Sequence, residues 1–165
     1  MGESTRVIVG VSGSRRSAAV LQRAAAEAAR RGAELVPVIA WTPVGGEPAY
    51  RTQPCPSLAA AWEKAARARL DQVFAEVFGG YPADRLITPV VIRGEAGPAL
   101  LQVADRPDDL LVIGSGRRGR LQRLLHGEVA RHCLARARCA VTVVPAEARL
   151  PVARRGGWLD LVKAA

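Results

Sequence analysis

Five short apolar runs alternate with helix-patterned segments along 165 residues, and this alternation constrains the fold more than any other feature of the chain. Residues 6–11 form an apolar run closed by Ser12-Gly13-Ser14, the pattern of a buried strand entering a tight turn. From Ser17 to Arg31 the period becomes helical, with Val20, Leu21, Ala24, Ala25 and Ala28 on one face and Gly32 as a natural stop. Ser12 and Ser14 are the expected turn and N-cap residues of that helix. A second strand is predicted over 35–41, a Pro/Gly-rich loop over 42–56, and then a helix carrying Trp62, Ala66, Leu70, Val73 and Val77. A third strand is predicted over 86–92; Pro89 cannot donate to a sheet ladder, which puts this strand at an edge. A short helix over 98–104 begins at a proline, followed by a strand over 110–113 and a Gly/Arg-rich loop over 114–123. The helix Glu128–Arg136 and the strand Ala140–Val144 complete the series. Five strands separated by helical connections predict an α/β domain: an open parallel sheet with helices on both faces.

The length suits one domain, here residues 1–146, with 147–165 left outside the rhythm as a tail. Within that tail Trp158, Leu159, Leu161 and Val162 follow a flexible Arg-Arg-Gly-Gly break and are expected to dock on the domain or a partner. With 49% hydrophobic and 24% charged residues, the composition excludes a disordered chain, a collagen-like fibre and a coiled coil. No apolar run approaches the roughly 18 residues of a membrane span, so no membrane partner is expected. The first residues lack a signal-peptide layout, and the expected location is cytoplasmic. Cys55, Cys133 and Cys139 make an odd count without a CxxC pair, which argues against both a disulfide framework and a zinc site.

The net charge of +9 is unevenly spread: residues 114–165 carry 11 basic and three acidic side chains. An excess so localised points to a phosphate, a polyanion or an acidic partner. Arg117, Arg118, Arg120 and Arg123 fit either a solvated loop or a phosphate clamp. They lack interleaved aromatics, which weakens a single-stranded nucleic-acid reading.

Two apparent motifs fail on context. Gly114-Ser115-Gly116-Arg117-Arg118-Gly119 matches GxGxxG, but it follows the fourth strand, and the acid wanted about 20 residues on is Cys139. NAD binding is therefore rejected, while a glycine-rich loop facing phosphate stays open. Gly10-Val11-Ser12-Gly13-Ser14 is not a nucleophile elbow, because Ser14 replaces the closing glycine and no Asp-then-His pair follows in workable order. With no acid–base pair, metal cluster or nucleophile, an enzyme is not expected.

In order and spacing, several segments together carry a family resemblance. Residues 7–14 (Val-Ile-Val-Gly-Val-Ser-Gly-Ser), 32–41, 109–115, Leu124-Leu125-His126-Gly127 and 139–145 resemble the universal stress protein family over roughly residues 6–146. The resemblance implies strand order 3-2-1-4-5 and a homodimer paired through Ala140, Val141, Thr142, Val143 and Val144, an edge with no charge to guard it. It also implies an adenine-nucleotide site at Gly10, Ser12, Ala40, Ile113, Gly114, Ser115, Gly116, Arg117, Gly127, Glu128 and Val129. ATP-binding members place an Asp where this chain has Ser12, a Gly at Arg117 and a hydroxyl residue at Glu128. Ser12 cannot supply the carboxylate, and Glu128 puts one at a helix N-terminus where phosphate is expected.

These departures predict a stress-response regulator with a degenerate nucleotide pocket, acting through dimerisation and an unidentified protein partner. No cofactor is fixed; ATP is the candidate, expected to bind poorly or not at all in the family's mode. Two alternatives remain: a phosphorylated small molecule held by Arg117, Arg118, Arg120 and Arg123, or nucleic acid held by the basic last third.

Overall fold

A computed structural model of the chain describes residues 5–14, 16–116 and 127–145. In chain order the elements are β1 (Arg6–Gly10), α1 (Ser17–Arg31), β2 (Glu34–Trp41), α2 (Gly46–Thr52) and α3 (Pro56–Phe78), then β3 (Val90–Arg93), α4 (Ala96–Val103), β4 (Leu110–Gly114), α5 (Glu128–Arg136) and β5 (Ala140–Val144). The five strands form one sheet in the order β3-β2-β1-β4-β5, and every pairing is parallel.

Side chains alternate across a strand, so each central strand feeds two cores. Val7 and Val9 of β1 join Leu21, Ala25, Leu70 and Phe74 beneath α1 and α3. Ile8 of the same strand joins Leu100, Leu111 and Cys133 beneath α4 and α5. Continuous apolar strands are what burial on both faces requires.

One buried ion pair locks the lower end of the sheet. Arg6 at the start of β1 donates from Nε to Asp109 Oδ1 at 2.9 Å and from Nη2 to Asp109 Oδ2 at 2.7 Å. The Asp109 carboxylate is only 1% exposed and also accepts the Arg106 backbone N–H at 3.0 Å. Hydrogen bonding to Asp109 pushes the Arg6 pKa further above its ordinary value, which keeps the guanidinium charged.

Four local expectations need correction. The segment 42–56 is not all loop: it contains α2, with Pro48 in the first turn, where a missing N–H costs nothing. Its hold is tertiary. Glu47 accepts two hydrogen bonds from Arg93, at 2.7 and 2.9 Å, and the Arg93 guanidinium lies 4.4 Å from the Tyr50 ring centroid. Pro89 does place the third strand at the edge, but it also shortens it to Val90–Arg93, leaving a single bridge between Leu35 and Ile87 upstream. The helix expected from Pro98 begins at Ala96, so the proline sits inside the first turn rather than opening it. Ser14 does not cap α1 with its side chain; the N-cap position is Arg16, and Ser14 instead offers its carbonyl to the Ser17 N–H at 2.8 Å. The tail residues Trp158, Leu159, Leu161 and Val162 lie outside the described residues.

Arg6→Ala would strand the Asp109 carboxylate in the interior, and removing one partner of a buried pair costs about 3–5 kcal/mol. Urea unfolding of Arg6→Ala is expected to show a loss of that size, with an unchanged slope.

Candidate functional site

Strand order reverses direction between β1 and β4, because the chain runs outward to β2 and β3 before returning to β4 and β5. The connections from these neighbours leave on opposite faces and open a crevice beyond the carboxyl ends of the strands. A cavity of about 780 Å³ lies there, within the range of small-molecule sites.

One wall is apolar: Gly10, Val38 and Ala40 at the ends of β1 and β2, Leu100 on α4, and Ile113 on β4. Gly10 lets these surfaces close, since a Cβ there would meet Leu100 Cδ1 at 3.1 Å and Ile113 Cγ2 at 3.4 Å. The opposite wall is polar and comes from the β1–α1 turn. Ser12 Oγ lies 2.9 Å from Ser14 Oγ and 3.1 Å from Ser17 Oγ, and the Ser12 N–H donates to Ser17 Oγ at 3.1 Å. Arg16 crosses toward the β4 end, its Nη1 3.5 Å from the Gly116 carbonyl oxygen.

The third wall is the β4–α5 junction, with Gly114, Ser115, Gly116 and Val129. Gly116 has φ +82, and a Cβ on it would fall 2.8 Å from Gly127 Cα; a Cβ on Gly127 would fall 2.9 Å from Gly116 Cα. Both positions therefore require glycine, one for its conformation and both for contact. The Gly127 N–H donates to the Ser115 carbonyl at 2.8 Å, which docks the start of α5 on the end of β4. The Ser115 hydroxyl has no hydrogen-bond partner among the described residues, although Ser115 is only 5% exposed. An orphaned buried hydroxyl costs about 1–3 kcal/mol, so its presence in a cavity wall calls for an explanation.

Of the positions expected from the sequence, Gly10, Ser12, Ala40, Ile113, Gly114, Ser115, Gly116 and Val129 meet in this cavity. Gly127 stands directly behind it. Glu128 is exposed at the first position of α5 and is not among the residues that line the cavity. Arg117, Arg118, Arg120 and Arg123 lie outside the described residues. Val144, expected at a subunit edge, is 5% exposed and joins the cavity lining, whereas Ala140 is exposed and Val141, Thr142 and Val143 are half-buried. Sequence reasoning missed Ser14, Arg16, Ser17, Val38 and Leu100 as cavity residues. The signal for the serines was available in their place between a strand end and a helix start.

Reactive groups are scarce around the site. Burial pushes the Cys133 and Cys139 thiols up, away from the thiolate form. Among the described residues, no three His, Cys, Asp or Glu side chains gather as a metal ion requires. No described helix is long and apolar enough to cross a membrane.

The sequence profile of the Universal stress protein family matches residues 3–145. The chain belongs to this family. Solved structures carry the fold: the hypothetical protein MJ0577 superposes with a TM-score of 0.66 at 14% identity, covering 86% of this chain and 96% of that one. A universal stress protein in complex with cAMP gives 0.55 at 24% identity, with 88% and 100% covered. A universal stress protein from Archaeoglobus fulgidus in complex with dAMP gives 0.51 at 20%, with 87% and 98% covered. A comparison with curated proteins gives no match. The five-stranded order 3-2-1-4-5 expected from the resemblance is the order observed.

Gly116→Ala tests the junction. A residue other than glycine at φ +82 costs about 1–2 kcal/mol, and the contact with Gly127 adds to it. The expected result is a lowered urea midpoint, with Gly116→Ala and Gly127→Ala together losing less than the sum of the two.

Proposed function

We propose that this chain is a stress-response regulatory protein that works by binding rather than catalysis, as a homodimer, with a ligand cavity degenerate for ATP. The observation that carries the reading is the composition of the cavity wall. The cavity has the volume of a small-molecule site, yet Ser12 stands at its β1 end and no carboxylate lines it among the described residues. The family's ATP-binding pattern has an Asp at that position; a serine hydroxyl is a weaker acceptor and carries no charge. A ligand held without that anchor depends on the apolar wall of Gly10, Ala40 and Ile113 for most of its affinity. The complexes of similar proteins with cAMP and dAMP support an adenine nucleotide as the type of ligand this cavity accepts.

The dimer reading is supported by β5. It lies at the sheet edge opposite β3 and presents Ala140, Val141, Thr142 and Val143 without a charged residue among them. An edge strand of this kind, without a further strand beside it among the described residues, pairs readily with a second copy.

Calorimetric titration with ATP tests the first part. The unaltered chain is expected to give no saturable heat at micromolar ATP, and Ser12→Asp combined with Glu128→Ser to tighten ATP by about tenfold or more, the scale of one charge-assisted hydrogen bond. Micromolar affinity in the unaltered chain overturns the reading. For the second part, sedimentation is expected to show a dimer at micromolar concentration. Thr142→Lys, a charge on the edge strand, is expected to give a folded monomer.

A further inference from the structure

Helix α1 is largely enclosed by the domain, and what it leaves to solvent is a single type of side chain. Every exposed residue of α1 is an arginine, Arg23, Arg30 and Arg31, and Arg16 is exposed at the N-cap. Arg16, Arg23 and Arg30 recur every seven residues, so they share one face, about 10.5 Å apart along the axis. Between them stand Ala19 and Ala26, half-buried, which add only methyl groups. Glu27, the one acidic residue of the helix, does not cancel this charge. Its side chain is 8% exposed and is held by three guanidiniums: Arg23 Nη2 donates to Oε1 at 3.1 Å, Arg30 Nη2 donates to Oε2, and Arg31 Nε stands 3.6 Å from Oε2. The cluster stays net positive, and the shared carboxylate draws three long side chains together, which reduces the ordering that a partner must impose. Each guanidinium carries five N–H donors, so most remain available to an outside acceptor.

We infer that the exposed face of α1 is a docking surface for the phosphate backbone of a nucleic-acid duplex. What selects this partner over an acidic protein is the lack of an anchor. A protein interface is centred on buried aromatic or aliphatic side chains, whereas this face offers arginines and alanine methyls. The planar fork of arginine matches phosphate oxygens two at a time. A single strand fits less well, because it is held by stacking on aromatic rings, and α1 carries none. The net charge of +9 supplies the long-range attraction that such a contact needs. Backbone contacts fix position without reading bases, so the binding is independent of sequence and steeply dependent on salt. The surface is separate from the basic last third of the chain, and the inference does not rest on the ligand cavity.

The test is fluorescence anisotropy of the whole chain with labelled duplexes of about 20 base pairs, one DNA and one RNA, across a salt series. If the face neutralises about three phosphates, affinity falls about 40-fold between roughly 50 and 200 mM salt, a logarithmic slope of about −3. Arg23→Gln with Arg30→Gln is expected to cut that slope by about two units. Arg23→Lys with Arg30→Lys is expected to keep it, since lysine retains the charge. Glutamine and lysine favour helix about as well as arginine and both positions are exposed, so the thermal midpoint is expected to hold in each variant. The tighter duplex names the source of the backbone, and a preference for either supports the surface. Duplex binding whose slope survives the glutamine pair puts the contact elsewhere and overturns the inference. Binding of a polyglutamate peptide in place of both duplexes overturns it in favour of an acidic protein, and the absence of duplex binding at low salt overturns it outright.

Discussion

The Arg6–Asp109 pair fixes the register on which the site depends. It ties the beginning of β1 to the residue just before β4, with two hydrogen bonds in a setting where the carboxylate is almost wholly withdrawn from water. A pair so buried contributes little net stability over an apolar substitute, but it is costly to leave half-made. Its effect is therefore one of specification: β1 and β4 must lie side by side, with Val7 opposite Leu110 and Val9 opposite Val112. Once the lower ends are fixed, the upper ends Gly10 and Gly114 emerge together, and the turns that follow them form facing walls of one cavity.

The cavity is then shaped by what is missing from side chains. Gly10 leaves room for Leu100 and Ile113 to meet over the end of β1, and the Gly116–Gly127 contact draws α5 onto the end of β4. Backbone approaches backbone at a distance that no other residue type allows. The same region carries the Ser115 hydroxyl, which is buried and has no hydrogen-bond partner among the described residues.

How much of this was legible depended on whether the cause was local. α1 and β5 were readable to the residue because periodicity and terminators lie within the segment itself. Pro89 announced an edge strand correctly, since its lack of an N–H is a property of that residue alone. α2 was not legible, because what holds it is Arg93, 46 residues from Glu47, together with the ring of Tyr50. Ser17 was passed over for a similar reason: it reads as an ordinary first helical residue, and its meaning comes only from the nearness of Ser12 and Ser14. Glu128 shows the converse case. A position correctly placed at the start of α5 still left open whether its side chain faced the cavity or solvent, and it is exposed.

That outcome changes the weight of the departures from the family's ATP-binding pattern. With Glu128 off the cavity wall, the loss of a charged anchor rests on position 12 alone among the described residues. Ser12 places an uncharged hydroxyl at the β1 end, within hydrogen-bond distance of the Ser14 and Ser17 hydroxyls. The turn is held by backbone contacts, the Val11 N–H to the Val38 carbonyl and the Ser17 N–H to the Ser14 carbonyl, together with the hydroxyl contacts of Ser12 to Ser14 and Ser17. The sheet, its switch point and the glycine contact build the space, and the serines of the β1–α1 turn set the polarity of one wall.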